Sequence, residues 1–420
     1  MKRIMVMPGV FLNASRSEKF KTGCFSVNLL RPLCRKEAAM NALFPSVLLR
    51  GTENYPDMQS LSAALELLYG AEIGGIIRKK GEVQAVGLYA DFIEDAFVGG
   101  EPVFAGTLHM AAEILLHPVT EHGVFLADYV EREKENLVNA IESRLNSKRT
   151  YAVSQMLRTM CADEAYGVDR LGELEDVEPI TPESLYAHYR SVLASSRIEI
   201  CYLGRTEPET VAALLREELR ELPREELTSV STSFVPSAPS VRTVTEALDV
   251  TQGKLCMGFR LGCNGKDALW PAAQVMNAVY GSGVTSKLFV NVREKMSLCY
   301  YVGSTLEKYK GLMIVSSGIE FSRFETAKEA ILHELDDCRE GNITPEELEN
   351  AKIGLVSAFR SAMDSPAQLD EYDLGQAISG WYVPIPTLIE QISAVTAEQT
   401  AAAARAVTLD TVYFLKGVET

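Results

Sequence analysis

Hydrophobic and polar positions along the chain fall into stretches whose period changes in a regular order. Residues 20–33 (FKTGCFSVNLLRPL) read as a strand, and residues 36–49 and 57–69 read as helices. Gly81 separates two strand-like runs, the second ending at VQAVGLYADF. Longer helical patterns cover residues 105–116 and 125–146, the second with Leu137, Ile141 and Leu145 spaced four apart on one face. A helix beginning at Thr181 leads into a strand over residues 197–203, closed by Gly204. The first 20 residues carry an apolar stretch broken by Pro8, Gly9 and Asn13, so they read as mature sequence rather than a signal peptide.

The same order then returns. Residues 254–260 are strand-like, and residues 272–280 and 286–295 are helical. Gly311 lies between strand-like runs ending at LMIVSSGIEF, and helices follow over 323–339 and Pro345–Ala362. A last helix starts at Thr396, and a strand over 411–415 closes before Gly417. Matching points lie roughly 230 residues apart at Gly81 and Gly311 but roughly 215 apart at Thr181 and Thr396, which places extra residues in the first half. The pattern predicts an approximate duplication. Thr344-Pro345-Glu346-Glu347 forms a capping box that Ile343 and Leu348 can staple; Thr396 with Gln399 repeats it, and Thr181-Pro182 opens the matching helix. The small, polar, Pro-containing stretch 229–240 (SVSTSFVPSAPS) reads as a linker between domains 1–228 and 241–420. The expected fold class is α+β, each half a mainly antiparallel sheet with helices packed on one face.

Composition narrows the function. At 420 residues the chain is too long for one ordinary domain. Its 41 basic and 57 acidic residues give a net charge of −16, which argues against nucleic acid and anionic membrane as partners. No apolar run approaches the ~20 residues of a membrane-spanning helix. Eight cysteines without a CxxC pair are expected to be reduced core thiols in the cytoplasm. Among five histidines there is no HExxH or HxxEH. The nearest approach is His117, Glu121 and His122, but a spacing of five with Pro118 between favours a polar loop over a metal site. His188, beside Tyr186 and Tyr189, reads as structural, and His333-Glu334 reads as the solvated side of a helix. Residues 370–373 (DEYD) read as a solvated acidic face, and Gly281-Ser282-Gly283 as a tight turn before a helix.

The most informative segment is 281–304, GSGVTSKLFVNVREKMSLCYYVGS. A helix ends in Arg-Glu-Lys, and a strand tyrosine falls seven residues after the arginine, at Arg293 and Tyr300. By themselves these two residues fit equally an exposed helix arginine paired with a local acid plus a core tyrosine, or two hydrogen-bond donors aimed at a ligand. Taken with the duplication, the segment resembles the C-terminal half of insulinase-type (pitrilysin, mitochondrial-processing-peptidase-like) zinc metallopeptidases. That resemblance implies that Arg293 and Tyr300 bind substrate by donating to backbone carbonyls of an extended peptide. Leu48-Leu49-Arg50-Gly51-Thr52 resembles the end of the family's zinc helix, HxxEH-x3-[KR]-G-T. The two histidine positions are then Ala42 and Ser46, and the general-base position is Pro45. After Glu133-Lys134 the third ligand position is taken by Ala140. Tyr166-Gly167, Gly172, Ile180-Thr181 and Gly204 also look like the family.

The resemblance thus implies a zinc-free member, with no catalytic residue and no metal ligand of its own. It further implies a heterodimer in which a homologous HxxEH-bearing subunit supplies zinc and cleaves the peptide. The wording VREKMSLCYY, with RGT and LYGA earlier, is similar to a bacterial subgroup of elongation factor P 5-aminopentanol modification-associated proteins. This leaves a peptide-binding scaffold without proteolysis as the alternative. An independent peptidase with an unorthodox metal site at His117, Glu121 and His122 ranks well behind both.

Overall fold

A computed structural model describes residues 1–418. The chain divides into two compact units. The first comprises Met1–Glu142, Val168–Ser231 and Ser365–Gly380; the second comprises Ser143–Gly167, Thr232–Asp364 and the described residues from Trp381 on.

The first unit holds β1 (Lys2–Met7), β2 (Val10–Arg16), β3 (Thr22–Pro32), β4 (Glu72–Lys80), β5 (Val83–Ile93), a two-residue pair β6 (Thr120–Glu121) and β7 (Val124–Phe125), and β8 (Arg197–Gly204). Its six-stranded sheet runs β1-β2-β8-β3-β5-β4, antiparallel except where β2 meets β8. The second unit holds β9 (Arg242–Leu248), β10 (Gly253–Arg260), β11 (Cys299–Glu307), β12 (Leu312–Ile319) and β13 (Thr408–Gly417). Its sheet runs β11-β12-β10-β13-β9, with β9 and β13 the one parallel pair. Read from the parallel end, β2-β8-β3-β5-β4 is repeated as β9-β13-β10-β12-β11. The duplication expected from spacing is therefore present as strand topology, with β1 as an addition to the first copy.

Strand alternation decides which face meets which helices. On β3, Phe25, Val27 and Leu29 enter the main core of the first unit, with Phe44 from the helix Arg35–Leu48 and Phe104 from the helix Val103–Leu116. On β10, Leu255, Met257 and Phe259 enter the corresponding core with residues of the helices Trp270–Tyr280 and Phe324–Glu340. The capping boxes at Thr181, Thr344 and Thr396 all form. Leu145 departs from the expected face. The helix ends at Glu142 and continues as a 3₁₀ turn over Ser143–Asn146, which leaves Leu145 exposed while Leu137 and Ile141 are buried.

The opposite face of each sheet is also covered, each by one helix. The helix Pro366–Ser379 lies on the first unit's sheet, where Leu374 joins Leu30, Val83, Ala85 and Cys201. The DEYD cluster is consequently not a solvated face. Asp370 is only 3% exposed, accepts from Ser26 Oγ at 2.5 Å and pairs with Arg78 at 2.6 Å; Asp373 accepts from Ser15 Oγ at 2.9 Å. Burial raises both carboxyls above their ordinary range, and Arg78 opposes this at Asp370, as Ser15 does at Asp373. The helix Lys148–Met160 lies on the second unit's sheet, where Ala152, Met156 and Met160 meet Cys256, Leu312 and Tyr413. Gly258 lets Met156 and Met160 approach, since a Cβ there would fall 2.6 Å from either sulfur.

Each unit is therefore completed by a helix that the chain contributes from its other half. The sequence passes from one unit to the other at Ser231–Thr232, inside the 229–240 stretch, and again around each of these helices.

Below the helix Lys148–Met160 lies a buried ionic cluster. Arg260 reaches Asp410 at 2.9 Å and Glu164 at 2.6 Å, and Lys310 reaches Glu164 at 2.5 Å and the Ser233 carbonyl at 2.7 Å. All eight cysteines are free thiols, and burial pushes Cys256 up to about 12. Among the described residues, no helix is long and apolar enough to cross a membrane.

Candidate functional site

The helix Arg35–Leu48 carries three of the positions at which a zinc centre would be expected. Ala42 is 2% exposed within the main core, Pro45 is buried, and Ser46 follows it half-buried. β4 runs close above: a Cβ on Gly75 would fall 3.3 Å from Pro45 Cβ. The helix packs against the helix Ala127–Glu142, which carries Ala140. Arg50 Nε, just past the end of the first helix, meets Glu133 Oε1 of the second at 2.5 Å.

The two helices pack together, but Ala140 lies on the exposed side of the second, outside its buried stripe of Val130, Glu133, Leu137 and Ile141. At the four positions the chain presents two methyl groups, a pyrrolidine ring and a hydroxymethyl. Zinc takes imidazole, thiolate or carboxylate, so these residues do not fit the ion. Among the described residues, no three His, Cys, Asp or Glu side chains converge to hold a metal elsewhere.

His117, Glu121 and His122 belong to a hairpin instead. His117 is the C-cap of the helix Val103–Leu116, and Glu121 pairs with Val124 across β6 and β7. His122 (φ 54°) and Gly123 (φ 82°) form the two-residue turn between them. Both central residues have positive φ, as a tight hairpin of this twist demands. The spacing of five reflects that turn and not a ligand face.

Arg293 and Tyr300 lie together at the edge of the second unit's sheet. Arg293 is on a π-helix, Leu288–Lys295, which turns at Ser297 (φ 52°) into β11, the edge strand. Arg323 Nη1 donates to the Ser297 carbonyl at 3.1 Å and fixes that turn. The register then shifts: Cys299 pairs with Ile319 and Tyr301 with Gly318, so Tyr300 is the extra residue of a β-bulge. A bulge re-aims side chains, and here it separates adjacent tyrosines. Tyr300 is 63% exposed. Tyr301 instead turns inward beneath the Arg149 guanidinium, 4.3 Å from its ring centroid.

The two side chains border an open depression of about 450 Å³, lined also by Glu294, Leu298, Cys299 and Glu320. Arg293 lies over the Phe289 ring at 4.6 Å, and its nearest carboxylate, Glu294, is 3.6 Å away, beyond hydrogen-bond length. A guanidinium and a phenol with unspent donors beside an unpaired strand edge can receive the carbonyls of an extended peptide without reading its side chains.

One neighbouring residue differs from the sequence reading. Glu334 is 4% exposed and accepts from Asn291 Nδ2 at 2.8 Å, whereas its neighbour His333 is exposed. The signal was present in the spacing: Ala327, Ile331, Glu334 and Cys338 form one stripe of that helix, so Glu334 stands in the apolar stripe and not opposite it.

A family model for the "Peptidase M16 inactive domain" matches residues 179–355. The chain is 31% identical over 412 residues to the "probable inactive metalloprotease YmfF" of Bacillus subtilis, covering 98% of this chain and 96% of that one. It is 24% identical over 310 residues to an "uncharacterized zinc protease" of Mycobacterium tuberculosis, covering 72% of this chain and 70% of the other. Among solved structures, a conserved protein from Enterococcus faecalis superposes with a TM-score of 0.93 at 28% identity, covering 100% and 99% of the two chains. A peptidase M16 inactive domain from Pseudomonas fluorescens superposes with a TM-score of 0.79 at 17% identity, covering 100% and 98%, which speaks to the fold alone.

Proposed function

Because this chain belongs to the M16 peptidase family, as an inactive-type member, we propose that it is the peptide-gripping subunit of a heterodimeric zinc peptidase. Arg293 and Tyr300 hold an extended peptide by its backbone, and a homologous subunit bearing HxxEH supplies zinc and cleaves. The observation that carries this reading is a contrast between the two units. In the first, the positions at which the resemblance puts zinc donors are Ala42, Pro45, Ser46 and Ala140. The second keeps donors exposed at an open sheet edge. Relatives described as "uncharacterized zinc protease" support the existence of a zinc-bearing homologue.

A second reading gives the same grip to a scaffold in an elongation factor P modification pathway, without proteolysis; the wording VREKMSLCYY supports it. Co-expression with an HxxEH-bearing homologue separates the two. The subunit reading expects a stable complex that hydrolyses an unfolded peptide when neither chain alone matches that rate. A stable complex with no hydrolysis, co-purifying with a modifying enzyme, favours the scaffold.

A further inference from the structure

The segment that carries Arg293 is unusual before any ligand is considered. Leu288–Lys295 is a π-helix of eight residues, closed by Met296 N–H donating to the Asn291 carbonyl at 2.9 Å. π-Helical turns are uncommon and concentrate at functional sites, where surrounding structure must hold them. Three stripes spaced by four residues describe how this one is held. Leu288 and Val292 are fully buried and anchor it to the core. Phe289 and Arg293 face outward, the guanidinium over the ring. Lys287 and Asn291 form the third stripe, and both reach buried or half-buried carboxylates.

Asn291 uses both ends of its amide and its backbone carbonyl to hold the turn. Its Nδ2 donates to Glu334 Oε2 at 2.8 Å, its Oδ1 accepts from Lys295 Nζ at 3.0 Å, and its backbone carbonyl closes the π-turn. Glu334 is a carboxylate set in a stripe with Ile331 and Cys338, a costly placement unless its partner matters. Lys287, itself buried, lies 3.0 Å from Glu347 Oε1. The other oxygen of Glu347 accepts from Thr344 N–H at 2.8 Å in the capping box, so Lys287 is tied to a rigid helix start.

We propose that Asn291 and Lys287, through Glu334 and Glu347, are positioning residues. They keep the helix in its π register and so set where Arg293 points beside Tyr300. Apolar residues of similar size could hold the helix as firmly, but a directional hydrogen bond selects one register. The inference rests on the gripping role proposed above, in that Arg293 is the group whose placement matters.

The test uses the full chain and a fluorescein-labelled, unstructured short peptide rich in Ala, Ser, Thr and Val, read by anisotropy. The Arg293 Nε–Hε resonance, assigned with Arg293→Lys, provides a second reading through the ring current of Phe289. Glu334→Ala and Asn291→Ala are expected to weaken peptide binding by roughly five- to tenfold and to remove the ring-current shift. Glu334→Gln keeps an acceptor for Asn291 and is expected to restore both, with binding within about twofold of the unchanged chain. If Arg293→Ala loses binding while Glu334→Ala keeps both affinity and shift, the positioning inference is overturned and the grip stands. If Arg293→Ala binds as the unchanged chain does, the grip falls and the resonance alone decides: a shift lost in Glu334→Ala and regained in Glu334→Gln supports positioning, and an unmoved shift overturns it. Asn291→Ser carries the same comparison should Glu334→Ala fail to fold.

Discussion

Arg293→Ala, placed in a complex of this chain with a zinc-bearing homologue, is expected to lower kcat/KM for peptide hydrolysis by about ten- to a hundredfold. The estimate comes from the loss of charge-assisted hydrogen bonds, each worth roughly 1.5–3 kcal/mol. Among the described residues Arg293 makes no hydrogen-bonded ion pair, the nearest carboxylate oxygen being 3.6 Å away. Its removal should therefore cost little stability, and the thermal midpoint serves as the control. Tyr300→Phe removes one neutral donor and is expected to cost about two- to tenfold. Arg293→Lys should fall between, because an ammonium lacks the planar fork that can meet a carbonyl from two nitrogens. Zinc bound to the partner should not change in any of these. Steady-state kinetics on one peptide, with the metal content of each preparation, checks the series. Unchanged kcat/KM in Arg293→Ala would remove the grip from the account.

The largest effect on stability is expected at Arg260. Arg260→Ala leaves Asp410 without its buried partner and Glu164 with Lys310 alone, and breaking buried ion pairs in this way costs about 3–5 kcal/mol. Because the cluster lies between the helix Lys148–Met160 and the sheet of the second unit, that helix should detach with it. Glu164→Gln has a smaller effect with a defined pH dependence. Burial alone would raise the Glu164 carboxyl, but Arg260 and Lys310 outweigh it and hold the group below its ordinary value of 4.5. A carboxyl with a depressed folded pKa contributes stability above its unfolded pKa and loses it as pH falls through the folded value. The gap between the unchanged chain and Glu164→Gln should thus be full at neutral pH and close below about 4.5. Urea denaturation at several pH values measures both variants, and a gap that widened on acidification would contradict the assignment.

The sequence carried the duplication because strand runs, capping boxes and turn glycines recur in order, and these are local signals. The resemblance places a zinc centre at Ala42, Pro45 and Ser46 by a signal that is likewise local, since Arg50-Gly51-Thr52 fixes the register within a few residues. The two covering helices were missed for different reasons: Lys148–Met160 buries only the short stripe Ala152, Met156 and Met160, whereas the inward face of Pro366–Ser379 carries carboxylates. Asp370, Asp373 and Leu374 occupy one stripe of Pro366–Ser379, but the partners that make those carboxylates tolerable, Ser26, Arg78 and Ser15, lie some 300 residues or more away in sequence. Glu334 was legible from its spacing with Ile331 and Cys338, and only its partner Asn291, on another element, was not. At the site, the choice between a core tyrosine and an exposed one turned on a single inserted residue. Tyr300 and Tyr301 are chemically identical, and only the bulge in the β11–β12 pairing decides which faces outward.

Under the proposed function this chain grips a peptide but does not cleave it, because Ala42, Pro45, Ser46 and Ala140 offer no donor for a catalytic zinc. The most direct measurement is zinc stoichiometry by mass spectrometry on the purified chain alone, alongside peptide hydrolysis with and without a chelator. The account predicts far less than one zinc per chain and no hydrolysis above background. One tightly bound zinc per chain, with hydrolysis that a chelator abolishes and zinc restores, would contradict it.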